Sequence, residues 1–203
     1  MYNVDQTVSA YPRAFPGHIQ PAGLRQVLGF INADDQFKEP LVLEKHAYLL
    51  ATIKWETAHT FLPREEFGKG KGRSYGMPDA KTGLVYYGRG YIQLTWKDNY
   101  LKLGRLINQD LVNDPELACQ PEIAYQIASL GMRQGLFTGK SLNDYLNDQT
   151  PIALEEICKA YIECRRIING QDSAATIAGL AVTFERILSE ALIIDQSSSE
   201  VPL

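Results

Sequence analysis

Between Gly68 and Gly90 the chain carries glycine at 68, 70, 72, 76, 83, 88 and 90, a density that forbids a regular helix there. The flanking sequence reads differently. Leu24, Val27, Leu28 and Ile31 recur at i, i+3, i+4 and i+7 after Pro21, which predicts an amphipathic helix near 21–32. Residues 41–57 give a second and Asn99–Ile107 a third. Pro121–Gln134, with Ile123, Ile127 and Leu130 on one stripe, gives a fourth. Thr150-Pro151 pairs a capping hydroxyl with a first-turn proline. It predicts a helix running to about Ile168 that turns Leu154, Ile157, Cys158 and Tyr161 inward. Asp172 is placed to cap a last helix carrying Ile177, Leu180, Phe184, Ile187 and Ala191. The expectation is a single, mainly α domain over 1–203, with a glycine-rich loop or small β insert around 68–95 and a frayed polar tail at 194–203.

Composition narrows the function classes. With 203 residues and 45% hydrophobic content, the chain is long enough to bury a substantial core, and no internal repeat or linker divides it. A net charge of −4 and a pI near 5.4 lack the basic footprint of a nucleic-acid binder. Cys119, Cys158 and Cys164 form no CxxC pair, so neither a disulfide framework nor a zinc site is signalled and the thiols read as reduced. His18, His46 and His59 form no sequence cluster. Glu56-x-x-His59 supplies one half-pair where a bundle metal site needs several, so no metal or cofactor is expected. The opening MYNVDQTVSAYPRAFPGHIQ lacks the charged and apolar regions of a signal peptide, and no window approaches the roughly 18 apolar residues of a membrane span. These features predict a chain made as a soluble cytoplasmic protein and acting as a monomer.

The chemistry gathers in ATIKWETAHTFLPREEFG, residues 51–68. On a helical wheel Ile53 lies about 40° from Leu49 and Glu56 about 20° to the other side, so Glu56 shares the buried stripe. A carboxyl there must be neutral, paired or at the lip of a cleft. Partial burial would favour the protonated form that a general acid needs; alternatively Glu56 pairs with Lys54, Lys45 or Arg64. Pro63 ends the helix, and Arg64-Glu65-Glu66 follows on a turn. Two carboxyls on separate elements, one in an apolar setting and one solvated, are the minimal apparatus of glycoside hydrolysis.

Downstream, an extended Tyr91–Thr95 would turn Tyr91, Gln93 and Thr95 to one face and Ile92 and Leu94 to the core. Thr95 could equally cap the helix starting near Trp96, with Asp98 completing the box. Tyr86, Tyr87, Tyr91 and Trp96 could stack on sugars or fill the core. The run Lys69-Gly70-Lys71-Gly72-Arg73 fails the phosphate-loop pattern. It reads either as a solvated loop or as an electrostatic contact with an anionic polymer.

WETAHTF, REEFG and YYGRGYIQLTWKDNY together resemble the family-19 glycoside hydrolases, which include chitinases and many phage endolysins with a lysozyme-like α-helical fold. The likeness spans roughly Leu49 to Tyr100, and CRRIINGQD at 164–172 resembles a further family segment. It implies Glu56 as general acid and Glu66 as general base, with Thr95 helping to hold the attacking water. It places Tyr91, Gln93, Asn99 and Asn169 along the sugar subsites and gives Arg89 a binding or buttressing part. Trp55 stands where the family commonly has His, and a nine-residue spacing in some relatives selects Glu65 as the base instead. The resemblance implies inversion at the anomeric centre, with carboxyls about 6.5–9.5 Å apart.

The function expected is cleavage of β-1,4 bonds in a glycan substrate. Peptidoglycan is placed first, as for a phage or prophage endolysin acting at the bacterial wall after release, and chitin second. From another class, a non-catalytic wall-glycan-binding domain would keep the groove but has no need for an acid on an apolar helix face.

Overall fold

The computed structural model describes residues 1–18, 21–34, 42–150 and 153–193. Residue 41, the Thr150-Pro151 proline and the 194–203 tail lie outside them. Among the described residues the chain forms seven α-helices: α1 (Val4–Ala14), α2 (Leu24–Ala33), α3 (Val42–Glu56), α4 (Lys97–Leu106), α5 (Pro121–Gln134), α6 (Leu154–Cys164) and α7 (Ala174–Glu190). One two-stranded antiparallel sheet joins β1 (Arg64–Glu65) to β2 (Arg89–Gly90), pairing Arg64 with Gly90 and Glu65 with Arg89. The mainly α class and the small β insert are therefore as expected.

Helix α3 is the axis. Every residue from Lys45 to Lys54 is buried, so it is not the one-sided helix its pattern suggested. Helix α7 packs along it and α6 packs on α7, with Tyr48 stacked on Tyr161 at 5.9 Å between centroids. Helix α1 is not among the helices expected from the apolar periodicity. Asn3 caps it by accepting the Gln6 amide at 3.0 Å. The chain just before α1 is clasped to the end of α7 through Asn3 N–H to the Ala191 carbonyl at 2.8 Å.

Several local expectations change. Helix α6 begins at Leu154 rather than after Thr150, because the Thr150 hydroxyl is spent on the Tyr145 carbonyl at 3.0 Å. After Cys164 the chain tightens into a 3-10 turn, Arg165–Ile167. Asp172 does not cap α7. The preceding position is Ser173 in a left-handed conformation (φ 58°), and it makes no side-chain cap. Thr95 does not cap α4, which starts at Lys97 behind Trp96. Tyr91–Thr95 is not extended. Arg89 and Leu94 exchange backbone hydrogen bonds of 3.1 and 2.9 Å across a tight turn that puts Gln93 at φ 55°. Tyr91, Ile92 and Leu94 are consequently all buried, and the alternation is lost.

Lys54 is a cation sealed in the core. It is fully buried, lies over the rings of Tyr11 (4.9 Å) and Phe15 (4.6 Å), and donates to the Tyr11 hydroxyl. Burial lowers its pKa from 10.5 to about 8. Between those values the unfolded chain holds a proton that the native chain has released, so native stability rises with pH from about 8 towards 10. Above about 10, unfolded tyrosines ionise while buried ones such as Tyr91 do not, and stability falls again. Lys54→Met should stabilise the protein at pH 7 by about 2 kcal/mol and flatten the rise above pH 8. Urea unfolding at pH 7, 8 and 9.5 measures both; equal slopes in the two proteins would refute the assignment.

Candidate active site

Glu56 is the last residue of α3, where the helix emerges from the core, and its side chain keeps 18% exposure. It does not pair with Lys54, Lys45 or Arg64. Its Oε1 accepts from Arg165 Nη1 at 2.7 Å, and the Arg165 side chain is only 5% exposed. Arg165 Nε also donates to the Asp172 carbonyl at 3.0 Å. The segment 165–172 thus wraps around the guanidinium that holds Glu56. Glu56 is therefore paired to a cation, where an apolar setting was expected. Arg165 was not singled out from the sequence, although it lies inside the CRRIINGQD stretch; an arginine carries no periodicity that announces a partner 109 positions away.

Beyond α3 the chain reverses through Ala58 (φ 50°), His59 (φ 69°) and Phe61 (φ 56°). It then enters β1, where alternation sends Glu65 and Glu66 to opposite sides. Glu65 faces Tyr87 and Arg89. It accepts from the Tyr87 hydroxyl and pairs with Lys69 at 3.0 Å and Arg89 at 3.6 Å. The Tyr87 hydrogen bond, then the Lys69 and Arg89 charges, hold its carboxyl below the usual range. Glu66 faces the other way. Its Oε1 accepts from the Tyr75 hydroxyl at 2.8 Å and its Oε2 from the Gly88 amide at 3.0 Å.

The glycine-rich insert is what delivers Tyr75. A Cβ on Gly76 would stand 1.8 Å from the Gly70 carbonyl oxygen, so the two strands of the loop pinch together only because Gly76 has no side chain. The pinch lies in the connection between β1 and β2, and Tyr75 in its short 3-10 turn reaches Glu66. Burial, then the Glu66 carboxylate, pushes the Tyr75 phenol up, which keeps it a donor. Tyr75 packs edge-on against Trp96 at 5.6 Å.

The remaining predicted residues separate by exposure. Gln93 stays half-buried beside Glu66: a Cβ on Gly88 would meet Gln93 Oε1 at 2.9 Å and Glu66 Cβ at 3.2 Å. Its Nε2 donates to the Arg64 carbonyl at 3.0 Å. Thr95 is half-buried, and its carbonyl accepts from Asn99 Nδ2 at 2.9 Å, so Asn99 pins the turn that presents Thr95. Asn169 is exposed on the 165–172 segment, its amide bonded to the Arg165 carbonyl at 3.1 Å. Arg89 is a buttress: it is buried, lies 3.6 Å from the Tyr87 ring centroid and donates to the Val85 carbonyl at 3.0 Å. Tyr91 is fully buried and turns no ring face outward, and Tyr86 and Tyr87 are core as well. Trp96, at 49% exposure, is the aromatic of that group available to a sugar.

Residues 61–132 match the family of class I chitinases within glycoside hydrolase family 19. Over this segment the chain is similar to glycoside hydrolase family 19. The matched segment takes in Glu65, Glu66, Gln93, Thr95 and Asn99, while Glu56 and Arg165 lie outside it. An endochitinase of Arabidopsis thaliana is 31% identical over 66% of this chain and 51% of its own length. A chitinase of Oryza sativa subsp. japonica is 32% identical over 57% of this chain and 36% of its own. The chain thus spans about half the length of the first of these curated relatives, and less of the second. Among solved structures, chitinase C from Streptomyces griseus superposes with a TM-score of 0.62 at 21% identity, covering 93% of this chain and 76% of that one. A bacterial family 19 chitinase gives 0.57 at 18% identity over 92% and 94%. These superpositions establish that the family-19 fold extends over nearly the whole chain.

Proposed function

We propose that this chain hydrolyses β-1,4 bonds between N-acetylhexosamines by an inverting, two-carboxylate mechanism, with chitin-type polymers as its first substrate. The observation that carries the reading is the pair of carboxylates on separate elements, each oriented by its own donors: Glu56 by Arg165, Glu66 by Tyr75 and the Gly88 amide. Peptidoglycan was the first expectation from sequence. The named relatives are chitinases, which favours chitin instead.

In this reading Arg165 occupies Glu56 Oε1, so the transferable proton belongs to Oε2. That proton passes to the glycosidic oxygen as its bond to C1 breaks. A water held by Glu66 and the Thr95 hydroxyl attacks C1 from the opposite face and gives its proton to Glu66. Glu66 suits the base better than Glu65, because a carboxylate committed to Tyr87, Lys69 and Arg89 has lowered proton affinity. Gln93, Asn169 and Trp96 line the sugar path, and Arg89, Asn99 and Tyr91 support it from within.

Colloidal chitin and purified sacculi, digested side by side and followed by proton NMR, test this reading. Chitin oligomers whose new ends appear first as the α-anomer are expected. First appearance of the β-anomer would refute inversion. Retention of either glycan with no cleavage by the native protein would make it a binding module.

A further inference from the structure

The chain is acidic overall, at −4, yet one rim of the site is the reverse. Phe67–Arg73 holds Lys69, Lys71 and Arg73 and no acid. Lys69 is taken up by Glu65. Lys71 and Arg73 are exposed, and among the described residues neither has a carboxylate partner. Arg64 is exposed too, and it shares a side of the extended segment with Glu66. The nearest acid downstream, Asp79, is bound by Lys97 at 2.7 Å.

This loop is held in place. Successive backbone bonds, Lys69 to the Glu66 carbonyl (3.0 Å), Lys71 to Gly68 (2.9 Å) and Arg73 to Gly70 (2.9 Å), fold it tightly, and the Gly70–Gly76 contact closes it. It leads into Tyr75, whose hydroxyl touches Glu66. The cations are therefore carried on the loop that delivers Tyr75 to the base. Phe67, 96% exposed, stands at the loop's start.

We propose that Arg64, Lys71 and Arg73 form a charge-reading rim that makes the enzyme prefer, among chitin-type polymers, chains whose sugars carry carboxylates over chains with neutral substituents. The proposal rests on the hydrolase reading above and names the substrate class within it. Fixed cations beside a reacting centre raise the local concentration of an anionic polymer and contact its substituents, an effect that salt screens. An anionic lipid surface is the weaker occupant. Phe67 and Met77 are the exposed apolar side chains of the patch, too few for stable membrane attachment.

Carboxymethyl chitin and glycol chitin make a matched pair of probes. For the native enzyme at low salt, KM on the carboxymethyl polymer should be lower by about fivefold, and the difference should shrink towards parity at about 0.3 M salt. Lys71→Gln/Arg73→Gln should remove most of that preference. A ratio unchanged in this variant, or insensitive to salt, overturns the proposal. So does equal handling of the two polymers by a protein that binds phosphatidylglycerol vesicles. Binding of the Glu56→Gln protein to both polymers reads the same ratio without hydrolysis. If the native protein cleaves neither polymer, the hydrolase reading fails while the charge preference is still measured.

Discussion

Glu56→Gln is expected to abolish glycan hydrolysis while leaving the fold intact, with kcat reduced by about 10²–10⁴-fold. The amide has nearly the same shape and its oxygen can still accept from Arg165 Nη1, but it has no proton to give to the leaving oxygen. Glu66→Gln should produce a loss of similar order, because an amide cannot take the proton from water. Glu65→Gln should differ in kind. It removes the charge that Lys69 and Arg89 face, so the hairpin loosens and KM and stability suffer more than kcat. Initial rates on chitin oligomers, with urea unfolding for each variant, separate the three. Full activity in Glu66→Gln together with loss in Glu65→Gln would reassign the base and with it the role of the Tyr75 contact.

Arg165→Met is the second large effect. Arg165 is nearly sealed, at 5% side-chain exposure, and it both holds Glu56 and ties down the Asp172 carbonyl. Removing it leaves a carboxylate without its partner and a carbonyl without its donor. The expected loss is about 2–4 kcal/mol, moderated because Glu56 keeps contact with solvent. Catalysis should fall together with stability, since Oε1 is no longer fixed. In the Glu56→Gln background the same substitution should cost less, because no uncompensated charge remains. Equal costs in the two backgrounds would mean that Arg165 acts through the 165–172 segment alone.

Legibility varied with the kind of signal. Helix α5 was readable to its boundaries, because Gln120-Pro121 starts it, one apolar stripe runs along it, and Gly135 ends it in a left-handed conformation. Helix α1 was missed, since the face it buries is built from Thr7, Ala10 and Tyr11 rather than large aliphatic residues, and Pro12 lies inside it. The Tyr91–Thr95 turn was misread for a physical reason. Alternating residues look extended, but Gln93 adopts a left-handed conformation that its residue type does not advertise, and the turn is held by bonds between Arg89 and Leu94.

The sequence by itself determined the helical class, the irregular insert and the likeness to family 19, because periodicity, glycine density and motif spacing are local properties of the chain. It also marked Glu56 and the Glu65-Glu66 pair as the carboxylates of interest. Tertiary structure alone decided what each of them touches. Arg165 reaches Glu56 across 109 positions and Tyr75 reaches Glu66 through a loop closed by Gly70 and Gly76. Strand alternation then gives Glu65 to the Tyr87–Arg89 side. Partners of this sort follow from where whole elements pack, and packing is set by the burial of many side chains together, not by any one segment.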